Sequence, residues 1–451
     1  MNAFPPPDRP IEAAYDEIRA SDAAIARLRA NHPSLIDLTV GRVERLLADL
    51  GDPRTRLPPV IHVAGTNGKG STVAYLRAIF EAAGQRAHVL TSPHLVRFAE
   101  RIRIAGQLIT DAQMDDLTDR LEAANGDKPI SFFEITTVLA LQAFAETPAD
   151  ICLIEVGLGG RFDATNVFDA PAVSVITPVE FDHLEMLGPG LPKIAWEKAG
   201  IIKPGRPVVV ARQLEPALDI IEREADARMA PMLLMGRDFD AWEERGRLMV
   251  QMPERLLDLP APSLFGGHQF DNAGLAVAAA ITYDPHLSDD ALAAGVGGAE
   301  WPARFQRLKA GPLAQMAKAK GADLWLDGGH NPHAGRALAE AASRLTDRDG
   351  RPLALVVGMF ARKDAEGFFH PFAEMHPDVF TTTFASSNAA KPEALAAAAR
   401  SVGLHARIVA DVTEGVRQAL ATDGPAPHII ICGGLHFAGE VLAMTPETWP
   451  R

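Results

Sequence analysis

The sequence predicts an α/β protein of two domains, the larger organised around a phosphate-binding loop. Three observations carry this. The apolar run Val60–Ala64 turns through Gly65, Gly68 and Gly70 and enters Val73–Phe80, where apolar residues recur at helical spacing. Short β-rich runs alternate with amphipathic stretches along most of the chain, the pattern of a largely parallel sheet. The alternation restarts after the glycine-rich Ala294–Gly298, which places the domain boundary between 1–298 and 299–451.

Strand, glycine loop and helix form a cradle for phosphate. Glycines let the backbone wrap an anion, exposed N–H groups and the helix N-terminus favour negative charge, and Lys69 adds a mobile cation. A hydroxyl just beyond, Ser71 or Thr72, stands where such loops hold Mg²⁺. The spacing departs from G-x-x-x-x-G-K-[ST], because Gly70 is inserted between Lys69 and Ser71. The plainer alternative is a glycine-rich turn with an incidental lysine. The strand before and the helix after favour an ATP site.

Composition narrows the class. With 451 residues, 47% hydrophobic and 23% charged, the chain suits a folded enzyme of two or three domains. A formal charge of −14 argues against nucleic acid or an anionic membrane as partner. Cys152 and Cys432 each lie in an apolar run and read as buried thiols of a reducing compartment. The first ten residues carry no apolar leader core, and no run approaches 18 apolar residues, so the cytoplasm is the expected location.

In chain order, helices are expected over Ile11–Arg29 and Asp37–Leu50, broken at His32 and Pro33. After the phosphate loop, the strand from Arg86 runs into a turn that puts Ser92 just past its carboxyl end, the sheet edge where ligands gather. Ser92 followed by Pro93 is also a common turn. Arg97, Arg101 and Arg103 surround a hairpin at Ala105 and Gly106 and read as a solvated face. Residues 111–125 form an amphipathic helix, and another starts at Ser131 and runs to Phe144. Phe132 and Phe133 near its start suit the core better than a ligand platform.

Glu155 ends the apolar strand from Asp150 and precedes a glycine-rich loop; a buried carboxylate there needs a cation or hydrogen bonds. His183 lies beyond the strand Ala172–Ile176. Alone it reads as a core or surface histidine; with Ser92 and Glu155 on the same sheet edge, the metal reading is favoured. Lys198 lies on a helix among apolar residues, either a solvated lysine or a functional one beside phosphate. Further βα units fill 207–240, and Gly266–Asn272 precedes an alanine-rich helix to Ile281, where capping is the plain alternative for the polar side chains.

The second domain repeats the alternation. Strands are expected at Asp323–Asp327, Leu353–Val357, Val379–Phe384, Arg407–Val409 and Ile429–Cys432, with helices from Ala334, near Phe368 and from Glu393. Polar loops at strand ends of both domains suggest an active site in the cleft between them.

At this point the motifs carry a resemblance. Ala64–Ser71, Thr91–Leu95, Phe98–Ile102, Phe132–Glu134, Glu155–Arg161, Asp163–Asn166, Asp182 with His183, Glu197–Ile201, Trp301–Phe305 and Asp327–His333 follow one another along essentially the whole chain. Any one is weak; as a set they are diagnostic. The chain resembles the Mur-ligase-like amide ligases that extend folates, the folylpolyglutamate synthases, in the branch usually bifunctional with dihydrofolate synthase. The implied fold is a P-loop-containing Mur-ligase-like domain with a second, smaller Rossmann-like α/β domain. Departures are small: Ala303 stands where the family often has Gly, Gly329 where it often has Ala, and Val179 with Glu180 is less typical before Asp182.

The resemblance implies that Thr66, Asn67, Gly68, Lys69, Gly70 and Ser71 hold the ATP phosphates. It implies Ser92 and Glu155 on one Mg²⁺ and His183 on a second, with Glu155 able to bridge them. Lys198 matches the lysine that the family carboxylates. Asn272, Arg304 and Asp327 would contact ATP, the last two from the second domain, with His330 close by. Phe133, Glu134, Phe162, Asp163 and Ala164 would receive the pterin-bearing substrate. Lys69, Glu155, His183, Lys198 and Arg304 are thus the candidate catalytic set.

The implied chemistry is ATP-driven amide formation. A carboxylate of dihydropteroate or a tetrahydrofolate takes the γ-phosphoryl group, and the amine of L-glutamate displaces phosphate from the acyl phosphate. Closure of the second domain, bringing in Arg304, would keep water from that intermediate. A monomer is expected, since no heptad stripe stands out. A peptidoglycan-building ligase would carry a larger domain before the phosphate loop, and a small-molecule kinase would not need the second α/β domain. A regulatory ATP-binding module would not need Lys69, Glu155, His183 and Lys198 together.

Overall fold

The computed structural model describes residues 23–32, 39–421 and 424–450. Within them the chain divides into two compact units: an N-terminal one, up to Ser263 and again over Gln269–Trp301, and a C-terminal one, from Pro302 on together with Leu264–His268.

The N-terminal unit begins with helices α1 (Ala23–Asn31) and α2 (Gly41–Asp49). Residues 11–22, 37 and 38 of the two expected leading helices lie outside the described residues. Then come β1 (Val60–Ala64), α3 (Lys69–Ala82), β2 (Ala87–Leu90), β3 (Ile102–Ile104), β4 (Gln107–Leu108), α4 (Asp111–Asn125), α5 (Phe132–Glu146) and β5 (Ile151–Glu155). After them follow β6 (Val173–Ile176), the short α6 (Leu184–Leu187), α7 (Leu191–Ala199), β7 (Val208–Val210), α8 (Glu215–Ala227) and β8 (Met232–Leu234). The eight strands form one sheet in the order β4-β3-β2-β5-β1-β6-β7-β8, parallel from β2 to β8 with an antiparallel β3–β4 edge.

Burial explains these elements. β1, β5 and β6 are buried at every position, as expected of central parallel strands covered on both faces. Capping fixes two of the helix starts: Thr110 with Gln113 opens α4, and Ser131 with Glu134 opens α5. One layer packs α2, α4 and α5 through Leu46, Leu121 and Leu139. Another packs α7 and α8 through Ile194, Ile202 and Ile221.

The sequence did not foresee the antiparallel sheet of β9 (Asp240–Glu244), β10 (Arg247–Gln251) and β11 (Leu256–Leu259). Its turn residues were legible, but its partners alternate buried and exposed over only four or five residues. The unit ends with α9 (His268–Tyr283), whose body is buried, and α10 (Asp289–Gly298).

The C-terminal unit contains β12 (Gln306–Arg307), α11 (Pro312–Ala319), β13 (Asp323–Leu326), α12 (Pro332–Asp349), β14 (Leu353–Val357), α13 (Ala365–Phe369), β15 (Asp378–Thr381), α14 (Pro392–Ser401), β16 (His405–Ile408), α15 (Val412–Ala419), β17 (His428–Cys432) and α16 (Leu435–Ala443). Its sheet runs β12-β13-β17-β14-β15-β16, parallel except for β12. β15 stops at Thr381, three residues short of the expected end; Thr382 N makes a last bond to Val357 O at 3.0 Å. Asn331 caps α12 by accepting from Ala334 N at 2.9 Å, Pro332 takes the first helical position, and Gly350 ends the helix at φ +67°.

Candidate active site

β1 delivers the candidate phosphate loop to the carboxyl edge of the sheet. Gly65 takes φ +147°, and a side chain there would overlap the hydroxyl of Thr177, which follows β6. Glycine is therefore required at the turn. Thr66 is pinned from both sides: its N–H donates to Pro178 O at 2.9 Å, and its hydroxyl donates to Glu180 O while accepting from Glu180 N, each at 3.0 Å. Lys69 opens α3, and its Nζ lies 3.2 Å from both Gly65 O and Thr66 O. Asn67 is half-buried and Ser71 fully so.

Asn272 lies inside α9, not at a cap, and its amide oxygen stands against Gly68. It donates to Gln269 Oε1 at 3.2 Å, and Gln269 in turn reaches Ser71 Oγ at 3.5 Å. Sequence reasoning missed Gln269. A polar residue fully buried in an alanine-rich helix was the available signal.

Lys198, near the end of α7, is 5% exposed and donates from Nζ to Gly65 O at 2.8 Å. Burial, with the nearby Lys69 charge, lowers its pKa to about 7; Asp182, Asp163 and Glu197 pull the other way. A lysine so placed is about half neutral near pH 7 and so nucleophilic. Its neighbour Glu197, also 5% exposed, is shifted upward by burial against the charges of Arg161, Lys193 and Lys198.

Gly65, Thr66, Lys69, Gly157, Asp182, His183 and Lys198 line one small pocket. Asp182 orients His183 by accepting from its backbone N at 2.8 Å, and His183 holds φ +52°. Ser92 and Glu155 line a neighbouring pocket with Phe133, Thr136 and Arg101. Glu155, 5% exposed, accepts from Ser92 N at 3.4 Å. The structure thus brings Ser92 to Glu155 and His183 to Lys198, in adjoining pockets. Among the described residues no group of three or more His, Cys, Asp or Glu is placed to hold a metal. A carboxylate and a serine lining one pocket nevertheless offer the hard oxygens that Mg²⁺ takes when phosphates supply further ligands.

The residues expected to meet substrate divide in two. Phe133 is half-buried beside Glu155, and Phe162 is 39% exposed. Glu134, Asp163 and Ala164 are buried. Glu134 accepts from Arg42 through both oxygens at 2.8–3.1 Å and from Ser131 N at 2.7 Å. Asp163 accepts from Thr165 and from Leu158 N. Both carboxylates organise the walls around them.

In the C-terminal unit, Asp327 directly follows β13 and accepts from Phe305 N at 2.8 Å and Gly329 N at 2.7 Å. Burial raises its pKa, opposed chiefly by the Arg304 charge. Arg304 donates to Ala303 O at 3.1 Å, and His330 Nδ1 lies 3.3 Å from Gly328 O.

Comparison with known proteins agrees with this architecture. The family description of the Mur ligase middle domain matches residues 63–280, and that of the Mur ligase, glutamate ligase domain matches 311–435. The dihydrofolate synthase/folylpolyglutamate synthase of Escherichia coli (strain K12) is 32% identical over 415 residues, covering 91% of this chain and 92% of that relative. The solved E. coli FolC in complex with DHPP and ADP superposes with a TM-score of 0.81 at 28% identity, over 97% of this chain and 98% of that one. The bifunctional folylpolyglutamate synthase/dihydrofolate synthase of Yersinia pestis, complexed with AMPPNP and Mn ion, gives 0.82 at 32% identity, over 98% and 99%.

Proposed function

The chain belongs to the Mur ligase family, in its dihydrofolate synthase/folylpolyglutamate synthase branch, and from that premise we propose how it works. It is an ATP-dependent ligase that joins L-glutamate to dihydropteroate and to tetrahydrofolates through an acyl phosphate. The observation that carries the reading is the convergence of Thr66, Lys69, Asp182, His183 and Lys198 on one pocket at the carboxyl ends of β1, β5 and β6.

Thr66–Ser71 cradle the triphosphate, and Lys69, now folded onto its own loop carbonyls, turns to the phosphate oxygens. Asn272 supports the loop from behind Gly68. Ser92 and Glu155 would hold one Mg²⁺ and His183 a second, with Glu155 available to both. Mg²⁺ held there would supply charge neutralisation for the transferred phosphoryl group. Phe133 and Phe162 offer aromatic surface to the pterin-bearing acceptor, and Glu134, Asp163 and Ala164 shape its walls. From the C-terminal unit, Arg304, Asp327 and His330 act on the nucleotide. The functional division is placed at 298/299, with 299–451 as the glutamate-ligase domain.

Lys198 is the residue proposed for carboxylation. Its neutral Nζ attacks CO₂, an N–C bond forms, and the nitrogen releases a proton, leaving a carbamate anion. Its pKa of about 7 makes the reactive amine available without strong base. The protein acts as a cytoplasmic monomer on small molecules, with no nucleic-acid or membrane partner; its charge of −14 disfavours polyanions.

Phosphate release with Mg-ATP and L-glutamate, compared for 7,8-dihydropteroate, tetrahydrofolate and no acceptor, tests the function. Both acceptors are expected to gain one glutamyl unit by mass. Activity on one alone would reduce the protein to a monofunctional ligase. Acceptor-independent hydrolysis would favour a regulatory module.

A further inference from the structure

His62 lies in the middle of β1, fully buried, three residues before Gly65. Its Nε2 is 3.0 Å from Thr165 Oγ1. Thr165 has one hydroxyl hydrogen, and it is spent on Asp163 Oδ1 at 2.6 Å. That oxygen also accepts from Thr165 N at 3.0 Å, while Oδ2 accepts from Leu158 N at 2.8 Å. Burial raises the Asp163 pKa while these hydrogen bonds oppose the shift; with Asp163 ionised both its oxygens accept, and Thr165 Oγ1 is then the acceptor towards the histidine. His62 is therefore the neutral tautomer with its hydrogen on Nε2, in keeping with a pKa that burial lowers to about 3.

The loop held by this line of bonds is the one on which Lys198 rests. A Cβ at Gly160 would stand 2.7 Å from Glu197 O and 3.0 Å from Lys198 Cα, so the loop backbone packs directly on α7. Arg161 N donates to Glu197 O at 2.7 Å, and Asn166 Nδ2 donates to Gly200 O at 3.2 Å. Lys198 Nζ then returns to Gly65 O at 2.8 Å, just beyond the end of β1. The path leaves β1 at His62, crosses Thr165, Asp163 and the loop, and comes back to the end of the same strand through Lys198.

We propose that His62 is a positioning residue for the ligase reaction: through Thr165 and Asp163 it sets where Lys198 stands relative to the phosphate loop. The ring, fully buried in β1 and edge-on to Phe168 at 5.9 Å, presents its donor to Thr165 Oγ1 from the centre of the sheet and so ties the Thr165–Asp163 pair to β1. The inference rests on the ligase reading above. Wild-type glutamyl transfer, measured in the same assay, separates failure of that reading from failure of this one.

The test compares wild type, His62→Leu, His62→Gln, Thr165→Val and the His62→Leu/Thr165→Val pair. For each, kcat, the acceptor KM and the unfolding midpoint are measured. Glutamine carries an N–H the same number of bonds from Cα as histidine Nε2, while leucine fills the space without a donor. His62→Leu is expected to lower kcat on the order of tenfold, with acceptor KM unchanged, as a small misplacement at a phosphoryl-transfer site does. His62→Gln should restore kcat to within about threefold of wild type. The double variant should lose no more than the worse single one, since both cut the same line. Should His62→Leu not fold, Thr165→Val reads the same line from its other end. Unchanged kcat in the folded variants, no rescue by Gln, or additive losses in the pair would overturn the proposal.

Discussion

Lys198 Nζ donates to the carbonyl of Gly65 at 2.8 Å, joining the end of α7 to the first turn of the phosphate loop. A buried ammonium beside a second lysine is costly, and the bond to one carbonyl offsets only part of that cost. The lysine therefore gives up its proton early, and stability must follow pH.

The sign follows from the two pKa values. An unfolded lysine keeps its proton up to about 10.5, whereas folded Lys198 releases it near 7. Between them the unfolded chain binds more protons, so stability rises with pH across this window and the lysine's penalty is fully present below pH 7. Urea unfolding of the nucleotide-free protein should show Lys198→Met more stable than wild type at pH 7, with the gap closing by about 2–3 kcal/mol at pH 9. A gap that does not change with pH would count against the shift.

Gly65→Ala should be inactive and less stable by about 1–3 kcal/mol, because the new methyl meets Thr177 Oγ1 and the φ of +147° suits no side chain. Adding Thr177→Ala should recover part of the stability, since it removes the Oγ1 overlap but leaves the Cβ at 2.9 Å, the carbonyl oxygen at 3.0 Å and the backbone strain. Calorimetry of the two variants decides it.

Glu155→Gln keeps the shape of a buried side chain beside Ser92 and removes its charge. Phosphate release should fall roughly a hundredfold or more, and Mg²⁺ should no longer tighten nucleotide binding. Normal Mg²⁺ dependence in a titration would remove Glu155 from the metal site.

Arg42→Ala leaves the Glu134 carboxylate, 4% exposed, with Ser131 N but without its bidentate partner. The loss should be about 3 kcal/mol, the cost of stranding a buried charge. If Glu134 instead serves substrate alone, the unfolding midpoint would hardly move while acceptor KM would rise.

Ala303 holds φ +55°, a left-handed conformation that an alanine adopts at a cost. Ala303→Gly should stabilise the C-terminal unit by about 0.5–1 kcal/mol, read from the denaturant midpoint. An unchanged or lower midpoint would mean that glycine's extra freedom in the unfolded chain cancels the gain.

Much of this protein was legible before folding. Hydrophobic runs located β1, β5, β6 and the strands of the second sheet because central parallel strands are buried on both faces and cannot be polar. Glycine placement located the phosphate loop, since only glycine allows the turn at Gly65. Order of motifs along the chain singled out Ser92, Glu155, His183 and Lys198 as candidates, residues whose chemistry shows in their type. Periodicity was too brief over 240–259 to reveal the three-stranded antiparallel sheet.

What the sequence by itself determined was the architecture and the inventory of reactive groups, because both follow from local pattern and residue chemistry. Only the tertiary structure decided which of those groups meet. It set Asn272 over Gly68 instead of at a helix cap, committed Glu134 to Arg42, and divided the metal candidates between two adjoining pockets. It also tied His62 to Lys198 through a loop a hundred residues away in the chain. Such pairings depend on strand order and loop packing, and no local spacing records them.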